Sequence, residues 1–157
     1  MSREAWIIDT VRTPRGIGKQ GKGSLAHLHP QRVASAALKA LQERNDINTE
    51  EVDDVIWGCS SQKGQQGADI GRMALLDAGY SSKASGVTLD RFCGSGITSV
   101  NMGAASVMCG MEECIVSGGI EMMSYVASLK GTGLMDTGNL HLRDLHPQWH
   151  QGICADV

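Results

Sequence analysis

Short apolar runs alternate with helical stripes along most of this chain, and that alternation limits the folds open to it. Ala5–Asp9 (AWIID) reads as a first buried strand, broken by Thr13-Pro14-Arg15-Gly16. Pro30 suits the first position of a helix, with Val33, Ala37 and Leu41 four apart and Ala34 and Leu38 beside them. Asn45 can end that helix in a left-handed conformation. Val52–Gly58 reads as a second strand, Ile70–Ala78 as a short amphipathic helix stopped by Gly79, and Gly86–Asp90 as a third strand. Gly94–Cys109 reads as a helix and Glu113–Gly119 as a fourth strand. Strands separated by helices imply parallel pairing, right-handed crossovers and helices on both sheet faces. Residues 125–157 keep no period, and more than 30 irregular residues within a compact domain usually serve a function.

Composition excludes several classes. The chain has 157 residues and a net charge of -3, with its Lys and Arg scattered, so it carries no basic stripe for nucleic acid. No stretch approaches 18 consecutive apolar residues, and no secretory segment follows Met1, so no membrane partner is expected. Five cysteines without a CxxC pair suggest a reducing, cytoplasmic setting, with most thiols free and buried. Twenty glycines and few aromatic residues suggest close backbone approaches.

The segment GVTLDRFCGSGITSVNMGAASVMCG is the most informative. It places Cys93 where a strand gives way to a helix. A helix N-terminus presents unpaired N–H groups and about half a positive charge. Such a setting lowers a thiol's pKa and favours the attacking thiolate. The same amides, that of Cys93 included, are candidate donors to an oxyanion. The two flanking glycines, Gly94 and Gly96, let a substrate come close. No charge follows Cys93 until Glu112, and a helix of small and apolar residues all round is expected to be buried on all sides. On residue type and context alone, a buried structural cysteine remains an equal alternative.

Other signals are weaker. Gly16–Gly21 matches GxGxxG, but the next helix starts only near Pro30, so a basic surface loop is the better reading. Gly23 stands where a P-loop needs Ser or Thr. His146, His150 and Cys154 are four apart, but Pro147 prevents one helix from carrying all three to a metal. Cys59, Cys109 and Cys114 read as packing residues.

Four stretches carry a family resemblance. Asp90-Arg91-Phe92-Cys93-Gly94-Ser95-Gly96-Ile97 resembles the thiolase nucleophile motif. Val11-Arg12-Thr13-Pro14 resembles the family's opening VRTP, Gly118–Ser124 its GGMESMS stretch, and His150-Gln151-Gly152 its HMG segment. They occur in the family's order over nearly the whole chain. Arg91, Gly94, Met122 and Gln151 depart from the usual residues but leave the cysteine in place.

The resemblance implies a three-layer α/β/α N-terminal domain over residues 1–124, with a mixed, mainly parallel sheet. Residues 125–157 would begin an irregular loop domain over the substrate. It implies acyl transfer through a Cys93 thioester, with His150 and Gln151 along the substrate path. The substrates would be acetyl-CoA or other acyl-CoA thioesters, with no permanently bound cofactor and no metal. The whole protein would be a homodimer or homotetramer. The family's second cysteine (CxG) and histidine (GHP) motifs are absent from this sequence, so acylation of Cys93 without turnover is expected of the chain by itself. A ketoacyl-synthase-like condensing enzyme and a non-catalytic dimerisation module are the alternatives.

Overall fold

A computed structural model describes residues 3–129 and 135–156. Three strands, β1 (Asp54–Gly58), β2 (Ser85–Leu89) and β3 (Ile115–Gly119), form one sheet in the order β2-β1-β3. Both pairings are parallel, with Trp57 opposite Thr88 on one side and Gly118 on the other. Helix α1 (Pro30–Asn45) precedes the sheet, α2 (Ile70–Asp77) joins β1 to β2, and α3 (Ser95–Cys109) joins β2 to β3. The short helices α4 (Met123–Val126), α5 (Leu140–Leu145) and α6 (Gln151–Ala155) follow.

Side-chain alternation along β1 sorts the layers. Val55, Trp57 and Cys59 join Ala34 and Leu38 of α1 and Ile70, Ala74 and Leu75 of α2 in one buried cluster. The other face meets α3. There Gly58 lies against the backbone of Ser95 and Gly96, and Gly103 lies against Ser117 and Ile115 of β3. The result is the expected α/β/α arrangement. Among the described residues the sheet is wholly parallel.

Caps fix the helix starts. The His29 ring accepts from the Gln31 N–H, and Pro30 needs no partner at the first position. Asp69 caps α2 and takes a hydrogen bond from Thr88 on β2 at 2.6 Å, while Thr88 accepts from the Gly71 N–H. α1 ends with Asp46, not Asn45, in the left-handed region.

Three expectations need correction. Residues 5–9 form no strand, and Trp6, Ile7 and Ile8 are about three-quarters or more exposed. Apolar β-formers mark a segment that suits a sheet, but only a neighbouring edge makes it a strand. The outer edge of β3 is open, but no backbone hydrogen bond joins residues 5–9 to it, and among the described contacts of this segment only Asp9 is tied down, by Arg44 and Asn45. A cavity of about 420 Å³ remains between the segment that follows, α1 and β3, and Trp57 lines it with an indole N–H that has no acceptor among the described residues.

α3 is buried on one face only. Ser95, Thr98, Ser99 and Gly103 face the sheet, while Ile97, Val100, Met102 and Met108 are exposed. The small polar residues allow the close approach, and Ser99 and Ser117 exchange hydrogen bonds with the opposing backbone at 2.8 and 3.0 Å. The third correction concerns the cysteines: all five are free, but only Cys59 is buried, Cys114 is half-buried, and Cys109 is exposed rather than packed.

Two stability outcomes follow from this packing. A Cβ at Gly71 would lie 2.5 Å from the Trp57 Cβ, whereas one at Gly96 meets nothing within 4 Å. Gly71→Ala therefore costs about 1–3 kcal/mol in urea unfolding despite its better helix propensity, and Gly96→Ala costs nothing. Asp77 is held below the ordinary carboxylate range, first by the Ser35 hydroxyl and then by Arg32. Its contribution is complete above about pH 4 and is lost as the pH falls through its lowered value. Asp77→Asn should lower the urea midpoint at pH 7 and narrow the gap between the midpoints at pH 7 and pH 3.

Candidate active site at the start of the third helix

The turn from β2 into α3 is strapped by side chains on both sides of Cys93. Asp90 accepts from the Phe92 N–H at 2.7 Å. The Ser95 hydroxyl accepts from the Arg91 N–H at 2.8 Å and donates to the Phe92 carbonyl at 2.6 Å. Between these straps Phe92 has φ +48°, a conformation unfavourable for a side chain with a Cβ. The strained residue turns the chain sharply, and the next thiol, Cys93, is exposed.

Gly94 caps α3 with no side-chain bond, and its carbonyl takes the Thr98 N–H at 3.0 Å. The Ser95 N–H returns to Phe92. The N–H groups of Cys93, Gly96 and Ile97 find no acceptor among the described residues. Three amides are therefore left at the turn of Cys93 and the start of the helix, where the helix dipole is positive.

Cys93 lines a cleft of about 1050 Å³. One wall is the exit of β1, Gly58–Ser61, and another is the exit of β3, Gly119–Glu121. Met135, Trp149, His150 and Gln151 reach the same cleft from the irregular region. The three residues singled out from sequence, Cys93, His150 and Gln151, thus border one space. The His150 Nδ1 accepts from the Gly152 N–H and caps α6, so in the neutral ring the proton sits on Nε2. Asp136, buried, grips Arg143 through two bonds of 2.7 and 2.8 Å. That bond, with the Gly138 amide, brings its carboxyl down to about 2 and ties Met135 to α5.

Cys59 lies at the cleft wall but points into the buried cluster. Burial, then the nearby Glu121, pushes its thiol up to about 12, so it is inert at neutral pH. His146, His150 and Cys154 do not converge, and no group of three potential metal ligands is found among the described residues. Residues 16–21 are exposed and form no helix, with a bend and turn only at 19–21, as expected of a surface loop. No described helix is long and apolar enough to cross a membrane.

Sequence reasoning passed over the partners of Glu121. Its carboxylate accepts from the N–H groups of Ser60 and Ser61 and from Gln66. The only signal was its place in the Gly118–Ser124 stretch.

The family model for the thiolase N-terminal domain matches residues 5–150. A steroid 3-ketoacyl-CoA thiolase of Mycobacterium tuberculosis is 43% identical over 78% of this chain and 30% of its own length. A beta-ketoadipyl-CoA thiolase of Pseudomonas knackmussii is 41% identical over 83% of this chain and 32% of its own length. The crystal structure of a Bacillus anthracis acetyl-CoA acetyltransferase superposes with a TM-score of 0.71 at 32% identity, over 78% of this chain and 30% of that one. The chain spans about a third of the length of the curated relatives it matches. The matching model and the identity to these relatives carry the same conclusion as the strapped turn and its cysteine: this chain belongs to the thiolase family.

Proposed function

We propose that the protein is an acyltransferase of the thiolase type, in which Cys93 accepts an acyl group from a CoA thioester. The observation that carries this reading is an exposed cysteine on the wall of a large cleft, at a helix start that leaves three amides unpaired, its own among them. In the acylation step the Cys93 thiolate adds to the thioester carbonyl. The tetrahedral oxyanion lies within the field of the helix start, where fixed N–H donors stabilise it without reorganising. Collapse breaks the bond to the CoA sulfur, releases CoA thiolate and leaves acyl-Cys93. One thioester replaces another, so the step is close to thermoneutral. In the thiolytic direction the same thiolate adds to the keto carbonyl of a 3-ketoacyl-CoA. Collapse breaks the carbon–carbon bond, leaves acyl-Cys93 and expels the enolate of acetyl-CoA, which takes up one proton to become acetyl-CoA.

His150 and Gln151 are read as substrate-path residues because both border the cleft. The names of the relatives favour free CoA thioesters over a carrier-protein substrate, which separates this reading from a ketoacyl synthase. A homodimer or homotetramer is supported by β2, an edge strand with Val87 exposed. Five free thiols favour a reducing compartment such as the cytoplasm. The exposed apolar face of α3 favours the second reading, a non-catalytic assembly module.

Incubation with acetyl-CoA and peptide mapping separates the two. The acyl-transfer reading expects one acetyl adduct on the Cys93 peptide, absent in Cys93→Ser. A wild-type chain with no adduct there, or with an adduct surviving in Cys93→Ser, overturns it.

A further inference from the structure

We propose that Glu121, oriented by Gln66, is a positioning residue for acyl transfer to Cys93, an inference that rests on the reading of Cys93 as the acyl acceptor. Glu121 lies two residues beyond β3. One of its oxygens accepts from the Ser60 and Ser61 amides at 2.8 and 3.3 Å, and the other accepts from Gln66 Nε2 at 3.0 Å. Gln66 is fully buried. Its Nε2 also donates to the Ser61 carbonyl at 3.0 Å, and its Oε1 accepts from the Met122 amide at 2.6 Å. The bonds close a ring through the exit of β1, the buried amide and the exit of β3.

The ring has one polarity. Every group that meets the Glu121 carboxylate is an N–H donor, and among the described residues no Lys, Arg or His lies within 4 Å of it. A half-buried carboxylate without a cation is costly and persists only where its hydrogen bonds are made. A Gln at this position fills the same volume but must turn an NH2 toward one of those donors in either orientation. Gln66 cannot flip to relieve it, because its oxygen is held by Met122. Carboxylate and amide therefore fix each other's orientation.

The consequence reaches the sulfur through backbone. Ser60 and Ser61 form the cleft wall facing Cys93, and Gly58, two residues back, touches the first turn of α3 so closely that a Cβ there would lie 2.6 Å from the Ser95 carbonyl carbon. When the β1 exit moves, that turn and its amides move with it. A misplacement of about 1 Å between attacking atom and carbonyl costs up to 100-fold in rate. Glu121 thus acts on the geometry of attack, not on the charge state of the nucleophile.

The test compares wild type, Glu121→Gln and Glu121→Asp in two reactions of Cys93. Acetylation by acetyl-CoA is followed by mass spectrometry, and iodoacetamide alkylation is followed from pH 6 to 10. Resistance of the buried Cys59 to iodoacetamide reports that each variant is folded, and if Glu121→Gln fails that check, Glu121→Asp carries the test. The expected result is a 10- to 100-fold loss in the maximal acetylation rate in both variants. The half-saturating acetyl-CoA concentration and the midpoint of the alkylation profile should stay at their wild-type values. An Asp variant as fast as wild type, or a displaced midpoint in the Gln variant, assigns Glu121 an effect of charge and overturns the proposal. Equal acetylation rates in all three also overturn it while leaving the Cys93 reading intact. A wild-type chain that is never acetylated at Cys93 overturns both.

Discussion

At the end of the central strand, Gly58 meets the backbone of Ser95 and Gly96 with no side chain between them. Everything at the cleft takes its position from this contact. β1 is the middle strand, so it inherits its place from two neighbours and from α1 and α2 beneath it. It hands that place directly to the first turn of α3. A larger residue at 58 would separate strand and helix, and the straps around Phe92 would then hold a turn aimed elsewhere. Rigid mounting of this kind suits a reactive side chain better than a mobile loop does.

The same logic explains the small polar face of α3. Ser95, Thr98, Ser99 and Gly103 let the helix axis come near the sheet, and the serine hydroxyls find backbone carbonyls there. Burying the two serine hydroxyls is tolerated because both are satisfied. A leucine-lined face would bury more apolar area but would lift the helix start from β1. Here packing and chemistry favour the same residue types.

Much of this was legible in the sequence. Pro30, the apolar stripe of α1 and the stop at Gly79 gave helix bounds that the structure keeps within a residue or so. Cys93 was legible because a strand-turn-helix junction is a local pattern and its motif is family-specific. What failed were inferences about partners. Ala5–Asp9 has the residues of a strand but makes no backbone hydrogen bond to the open edge of β3. α3 looked buried all round because its composition is apolar, yet burial depends on what lies opposite, and Ile97 and Met108 face solvent. Cys109 failed for the same reason. The Glu121–Gln66 pair was not legible at all: 55 residues separate its members, and only the parallel register of β1 and β3 brings them together.

The uncovered side of α3 has a colloidal consequence. From Phe92 past Cys109 to Met111 it shows Ile97, Val100, Met102 and Met108 to water, and beyond Arg91 no ionised side chain interrupts it before Glu112. Patches of this sort attract one another, and only charge or a covering surface keeps molecules apart. A net charge of -3 spread over the rest of the surface repels weakly, and salt screens it further. The polypeptide by itself would therefore be a poor solute: its turbidity would grow with concentration and ionic strength, and mild detergent would clear it.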